Sequence, residues 1–264
     1  MTNAISFPGL GNITFNVNRV AFTVFGRDIY WYALIILTGF LSGLCFAYNT
    51  AEKRGVKKEH VFDIAFWGLI IGIICARIYY VIFDSSSIDG DFINVFKIWN
   101  GGLAIYGGII GAVLTVIVYY KIYKLKTMNV FDVCTPGLII GQIIGRWGNF
   151  VNAEVYGRET NILWRMSING GEGVHPMFLY ESLWNLLGLV LILKFRDKKK
   201  WDGQVFFFYI IWYGIGRFFM EGMRQEEYIL WLIPDVLGIS QLVALVAVAV
   251  GVCAFVLMRK KADI

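Results

Sequence analysis

A stripe of polar residues near the end of a long apolar segment has the composition and spacing of a chemical site. One helix face would carry Tyr213, Arg217, Glu221 and Arg224, because these residues are spaced at i, i+4, i+8 and i+11. Arginine offers a planar fork of donors that suits phosphate or carboxylate. An Arg217–Glu221 pair within the helix would neutralise itself and leave Arg224 over. The stripe predicts either an ion-paired helix end that locks neighbouring helices or a site that holds an anion.

A second polar set follows an earlier apolar segment, in the stretch from Gly145 to Arg158. Its spacing of i, i+3 and i+6 puts Arg146, Asn149 and Asn152 on one helix face. A cation at membrane depth costs about 2.5–3.5 kcal/mol on insertion scales, and such residues usually line a cavity. The alternative is an arginine that snorkels to the interface, but snorkelling requires no neighbouring amides. We therefore favour a functional role.

Two further residues have simpler alternatives. Tyr106 is followed by the Gly107–Gly108 pair, where close packing would favour a small group, although its residue type and position favour anchoring in the aromatic belt. His175 precedes Pro176, which suits a helix start, and a lone histidine there could cap or pack. A phospholipid arriving laterally would suit a cavity that collects Arg146, Asn149, Arg217, Glu221, Arg224 and Tyr106.

The composition is that of a membrane protein. Hydrophobic residues make up 58% of the 264 positions and charged residues 16%, against about 45–50% and 25% in soluble domains. The net charge of +5 comes from basic clusters between apolar runs, a pattern of membrane topology rather than of nucleic-acid binding. With four scattered cysteines and two histidines, the sequence predicts neither a metal site nor another cofactor.

Seven apolar runs approach the ~20 residues that a helix needs to cross a bilayer. They lie near 30–50, 61–83, 102–123, 130–147, 178–196, 203–220 and 236–258. Because every backbone N–H and C=O group in the lipid core must be hydrogen-bonded within the protein, we expect these runs to be helices. The sequence thus predicts an all-α, polytopic integral membrane protein forming a single membrane domain over 1–264. Residues 1–29 would form an external N-terminal segment and 148–177 a small external loop or head.

Basic residues predict the orientation. Fifteen of the 24 lysines and arginines lie in the connections that follow runs one, three and five, or after run seven. Eight lie on the opposite side of the predicted membrane. This asymmetry places the N-terminus outside and the C-terminus in the cytoplasm. Twelve of the 15 are lysine, whereas seven of the eight are arginine, so the outer face carries the side chains suited to phosphate or carboxylate. Arg77 lies inside run two, and its role stays open.

The same segments carry a family resemblance. Residues 145–157, Gly-Arg-Trp-Gly-Asn-Phe-Val-Asn-Ala-Glu-Val-Tyr-Gly, resemble the signature of the phosphatidylglycerol–prolipoprotein diacylglyceryl transferase family. The stretches 101–111, 175–181 and 213–224, and Tyr30-Trp31-Tyr32, are similar to other family blocks in family order. The resemblance extends from about residue 28 to the C-terminus.

The resemblance implies roles for individual residues. Arg146 matches the arginine assigned to phosphatidylglycerol binding, and Tyr213 and Arg217 match residues implicated in catalysis. Many members carry histidine, proposed as the base, where this chain has Tyr106, so a universal histidine-base mechanism is in doubt here. The remaining expected substrate-binding residues are Asn149, Glu154, Gly157, His175, Glu221 and Arg224.

The resemblance also implies a reaction in the bacterial plasma membrane, with the active site toward the outer face. The thiol of a prolipoprotein signal peptide would displace glycerol 1-phosphate from phosphatidylglycerol and leave a thioether. Tyrosine, with a pKa near ~10, is a poor base, so we expect Tyr106 to position a group or relay a proton. The alternatives are a lipid or anion transporter, although no internal repeat is visible, and a non-catalytic scaffold.

Overall fold

The computed structural model describes residues 2–83, 95–96 and 101–262, so Lys97, counted above on the outer side, lies outside the described residues. The chain forms two compact units. The first comprises Met1–Phe46 with Cys134–Ile264, and the second comprises Ala47–Val133. Helices dominate both units.

Seven long helices occur in the described residues, and they overlap the seven apolar runs. They are α1 (Trp31–Ala51), α2 (Lys58–Phe83), α3 (Ile105–Tyr123), α4 (Thr127–Asn152), α5 (Met177–Phe195), α6 (Gln204–Gly222) and α7 (Ile239–Ala262). Six of these are long and apolar enough to cross a membrane, which supports a polytopic membrane protein. Helix α6 is not among the six, because its polar residues, Arg217 and Glu221 included, lower its mean hydropathy.

The all-α prediction was wrong in one respect, because eight short strands accompany the helices in the described residues. They are β1 (Thr2–Phe7), β2 (Ile13–Asn18), β3 (Val20–Val24), β4 (Arg27–Tyr30), β5 (Met166–Ile168), β6 (Gly173–Val174), β7 (Trp231–Ile233) and β8 (Leu237–Gly238). The signal was present in β2, where Ile-Thr-Phe-Asn-Val-Asn alternates apolar and polar residues at the strand period.

The external segments expected from the sequence join in one antiparallel sheet. Its strand order is β2-β1-β5-β6, so the N-terminal segment pairs with the loop between α4 and α5. Ile5, Met166, Val174 and Phe178 form its buried core. Phe178 lies in the first turn of α5, so the sheet is packed against the start of that helix.

Helix packing in the first unit uses glycine where backbones approach. A Cβ on Gly43 of α1 would lie 2.3 Å from the carbonyl oxygen of Gly137 on α4. One turn further along α4, a Cβ on Gly39 would lie 3.0 Å from the carbonyl oxygen of Gly141. Small residues at these positions let the backbones of α1 and α4 approach closely, as in other membrane helix pairs.

A reciprocal tryptophan pair joins α5 to α6. The indole of Trp184 donates to the carbonyl of Trp212 at 3.1 Å, and the indole of Trp212 donates to the carbonyl of Trp184 at 3.0 Å. The rings stack 4.2 Å apart at an interplanar angle of 16°. Each ring covers a glycine on the opposite helix, since a Cβ on Gly216 would lie 2.2 Å from Nε1 of Trp184 and one on Gly188 2.5 Å from Nε1 of Trp212. The pair fixes the register of α5 against α6.

In the second unit, α3 packs on α2, and Arg77 is buried within that unit. Its guanidinium donates to the carbonyls of Val95, Gly101 and Gly102 at 2.8–2.9 Å and lies over the ring of Tyr80. These bonds satisfy three backbone carbonyls, of which those of Gly101 and Gly102 lie just before the start of α3. Arg77 therefore stabilises the segment that leads into the helix carrying Tyr106.

Candidate functional site

Three arginines and two glutamates meet in the first unit, and we call them the arginine–glutamate network. Arg146 of α4 pairs with Glu181 of α5. Arg217 pairs with Glu221 at 2.8 Å within α6. Arg224, just beyond α6, reaches both carboxylates at 3.4 Å. The network comprises Arg146, Glu181, Arg217, Glu221 and Arg224, and it joins the ends of three helices with one net positive charge.

The network is layered by burial. The glutamate side chains are 6% and 2% exposed, whereas those of Arg146 and Arg217 are 24% and 18% exposed. Arg224 is intermediate at 11% and bridges the two carboxylates. The two carboxylates are therefore the buried members of the network, and Arg146 and Arg217 are its most exposed members. This arrangement presents hydrogen-bond donors to an anion.

The backbone around Arg224 is held by three chain segments that bond like short strands. The N–H of Gly157 donates to His175 O at 2.9 Å, and the N–H of Arg158 donates to Met223 O at 2.8 Å. Gly157 also forms an antiparallel bridge with Arg224. A Cβ on Gly157 would lie 2.6 Å from the Cβ of His175 and 2.8 Å from Met223 O, so glycine is required for this approach. Gly157 thus acts on the network through the backbone.

Asn149 and Glu154 shape the end of α4. The amides of Asn149 and Asn152 donate to the carboxylate of Glu154 at 3.1 and 3.3 Å, and the N–H of Glu154 donates to Asn149 O at 3.1 Å. Ala153, inside this turn, has a positive φ of 51°. These bonds hold the turn that begins at Asn149, three residues after Arg146. In the structure the two asparagines engage Glu154 rather than the network.

His175 lies just before α5 in a small aromatic cluster. Its Nδ1 is 3.2 Å from the hydroxyl of Tyr180, which accepts a bond from Trp164 Nε1 at 2.8 Å. Burial lowers the pKa of His175 below its ordinary value of 6.5. The imidazole is therefore neutral at neutral pH, and its bonds place it in the packing of this loop rather than in the network.

Comparisons with known proteins agree with the motifs. Residues 19–257 match the family model described as prolipoprotein diacylglyceryl transferase. The chain is 41% identical over 245 residues to the phosphatidylglycerol–prolipoprotein diacylglyceryl transferase of Clostridioides difficile, covering 93% of this chain and 97% of that protein. The chain belongs to this family. The proteins of that name from Finegoldia magna (42% over 246 residues, 93% and 97% covered) and Listeria innocua (39% over 264 residues, 96% and 94% covered) are also similar.

The residues matched to the family motifs fall into three groups. Arg146, Arg217, Glu221 and Arg224 come together in the network, as the sequence predicted. The expected Arg217–Glu221 pair is confirmed, but the expectation that Arg224 would be left over was wrong, because Glu181 supplies a second carboxylate. Asn149, Glu154, Gly157 and His175 hold the surrounding turns.

The two tyrosines expected to serve catalysis lie in different units: Tyr213 matches a family motif, and Tyr106 stands where many members carry histidine. Tyr213 is one helical turn before Arg217 on α6, with its ring 5.8 Å from that of Tyr209. Tyr106 is the second residue of α3 in the second unit, 37% exposed, with its ring 6.3 Å from that of Tyr79. Their roles stay predictions.

Glu181 is the member of the network that the site prediction missed. It pairs with Arg146, 35 positions earlier in the chain and on another helix, so helical spacing gives no signal for the contact. A signal did exist: a carboxylate in the second turn of an apolar helix is expensive unless a cation meets it. Among the residues that the structure describes, no group of three or more histidine, cysteine, aspartate or glutamate side chains could hold a metal ion.

Proposed function

We propose that this chain transfers the diacylglyceryl group of phosphatidylglycerol to the cysteine thiol of a prolipoprotein, as its relatives' name states for them. The observation that supports the proposal most is the layered arginine–glutamate network at the ends of α4, α5 and α6. Phosphatidylglycerol carries one negative charge, and the network carries one net positive charge. Binding would neutralise both.

The accessible arginines receive the phosphate in this proposal. Arg146 and Arg217 donate to its oxygens, while Glu181 and Glu221 keep the two guanidiniums in place. Arg224 links the two carboxylates and holds the pair together. A preorganised set of charged donors stabilises a developing anion without reorganising during the reaction.

The chemistry is a displacement at carbon. The sulfur–carbon bond of the thioether forms as the carbon–oxygen bond to phosphate breaks, and glycerol 1-phosphate leaves. The thiol proton passes to the leaving phosphate or to water, so charge balances. A free thiol has a pKa near ~8.5 and is a few per cent thiolate at neutral pH. Because the leaving phosphate gains negative charge, the arginines stabilise the transition state more than the bound lipid.

The membrane arrangement is part of the proposal. All seven helices cross the membrane, α6 included, with the N-terminus outside and the C-terminus in the cytoplasm of a bacterial cell. The lysine-rich connections after α1, α3 and α5 support this orientation. The network then lies toward the outer face, where it meets both the lipid substrate and a translocated signal peptide. Tyr106 keeps its proposed role in positioning or proton relay.

The test uses purified protein in detergent with phosphatidylglycerol and a lipobox-type peptide. Glycerol phosphate release and peptide mass are followed for the wild type, Arg146→Gln and Arg165→Gln. Arg165 is a matched control because it bonds the carbonyls of Asn161 and Ile162 outside the network. We expect a diacylglyceryl mass gain that disappears in Arg146→Gln and with a cysteine-to-serine peptide but persists in Arg165→Gln.

Absence of release from folded wild-type protein would overturn the transferase proposal. The transporter alternative would then predict lipid movement between leaflets of a vesicle without any change in the peptide mass.

A further inference from the structure

A cavity of about 280 Å³ lies at the far end of α5 and α6 from the network. We call the chain around it, residues 194–204, the lysine end. Apolar side chains line most of the cavity, among them Leu191 and Phe195 of α5, Phe208 of α6 and Phe255 of α7. From Glu181 to Phe195 the helix rises about 21 Å, so this cavity is separate from the network.

Three basic residues, Arg196, Lys198 and Lys199, also line the cavity. The guanidinium of Arg196 lies over the ring of Phe46, 5.1 Å from its centroid, and the ammonium of Lys199 is 3.1 Å from Asp202. Both cations are therefore held in place beside an apolar surface. Lys198, which lies between these two residues in the sequence, is exposed.

The two kinds of lining decide which ligand fits. A free phosphate would use the cations and leave the apolar walls bare. A zwitterionic or uncharged lipid would cover the walls but gain little from the cations. An anionic glycerophospholipid satisfies both, because its acyl chain covers apolar surface and its phosphate meets the basic residues. Basic pockets between transmembrane helices bind anionic headgroups in this way.

We propose that the cavity at the lysine end binds one anionic phospholipid from the leaflet at that end. An acyl chain packs against Leu191, Phe208 and Phe255, and the headgroup phosphate lies against Arg196, Lys198 and Lys199. The site is distinct from the proposed substrate site and does not depend on the transferase reaction.

Trp201 is a natural reporter for this cavity, since its ring is 5.2 Å from that of Phe255. Full-length protein is placed in phosphatidylcholine nanodiscs that contain acyl-brominated phosphatidylserine or acyl-brominated phosphatidylcholine. Subtracting the quenching of Trp201→Phe isolates this residue from the other eight tryptophans. We expect phosphatidylserine to quench Trp201 more strongly at equal mole fraction, with the difference shrinking at high salt.

Lys198→Gln tests the headgroup contact, and Lys121→Gln, an exposed lysine at the end of α3, is its control. One basic residue near a membrane surface is worth about a five-fold preference for anionic lipid. We expect Lys198→Gln to lose that factor and Lys121→Gln to keep it, with transferase activity unchanged in both. Equal quenching by the two lipids would overturn the proposal, as would loss of the preference on adding inorganic phosphate at constant ionic strength.

Discussion

At one end of α5 and α6 the charged side chains are buried and face one another, whereas at the lysine end they are mostly exposed. The side chain of Glu221 is 2% exposed and meets two arginines, while Lys199 meets Asp202 with 21% and 40% of their side chains exposed. Buried charge requires a partner with good geometry, and exposed charge requires only water. In our proposals, the first end binds an anion, whereas the lysine end sets the orientation and contacts lipid headgroups.

The largest expected effect is at the base of the network. Glu181→Gln removes the carboxylate of Arg146 and one of the two that meet Arg224. Breaking a buried ion pair on one side costs about 3–5 kcal/mol. We expect the free energy of unfolding in detergent to fall by that amount and the transfer rate to fall with it.

Asp202→Asn is the matched change at the lysine end, where an exposed pair is worth about 0–1 kcal/mol. Equal losses of stability in Glu181→Gln and Asp202→Asn would remove the distinction between the two ends.

A smaller effect is expected where the backbone supports Arg224. Gly157→Ala adds a methyl group 2.6 Å from the Cβ of His175 and 2.8 Å from Met223 O, so the chain segments must separate. We expect the transfer rate to fall by about ten-fold or more, since small misplacements of binding groups have such effects. Gly68→Ala, at a position on α2 with open space around it, should retain activity. Full activity of Gly157→Ala would mean that this backbone contact does not position the network.

Breaking one bond of the tryptophan pair should lower the free energy of unfolding by about the contribution of one hydrogen bond. Trp184→Phe keeps an aromatic ring over Gly216 but removes the bond to Trp212 O. We expect a loss of about 1 kcal/mol in the free energy of unfolding. Because the pair sets the register of α5 against α6, the rate of transfer should fall while the Michaelis constant for peptide stays unchanged. A change in neither stability nor rate would limit the pair to packing.

The smallest expected effect is a pH dependence at His175. Burial lowers the pKa of its imidazole below 6.5 in the folded protein, so the unfolded chain binds the proton more tightly. Stability should therefore fall as pH drops below about 6.5 and level off below the folded pKa. Unfolding measured between about pH 5 and pH 7 should show a flatter profile for His175→Gln. Identical profiles for the two proteins would assign the dependence to other groups.

The sequence predicted what local spacing determines and missed what distant segments determine. The Arg217–Glu221 pair follows from i, i+4 spacing and is present at 2.8 Å. Arg146 was predicted to line a cavity because a cation within an apolar run is costly, but its partner Glu181 is on another helix, where periodicity carries no information. The pairing of β1 with β5 likewise joins residues more than 160 positions apart.

The helices were easier to predict than the sheet because the membrane imposes a length on each helix, whereas short strands depend on their partners. Tyr106 also shows that sequence does not reveal what depends on distant groups. Its unusual identity is visible in the sequence, but its chemistry depends on the groups that surround it during the reaction.

The most direct test of the account is the affinity of the network for the phosphate of its lipid. Calorimetry with short-chain phosphatidylglycerol and no peptide acceptor measures the dissociation constant without reaction. We predict about ten-fold or greater weakening for Arg146→Gln and for Arg217→Gln, since a hydrogen bond to a charged group is worth about 1.5–3 kcal/mol. The dissociation constant of Arg146→Lys should be intermediate, because lysine keeps the charge but lacks the planar set of donors of the guanidinium. That of Arg165→Gln should match the wild type. Unchanged affinity in folded Arg146→Gln and Arg217→Gln would contradict the assignment of the network as the phosphate site.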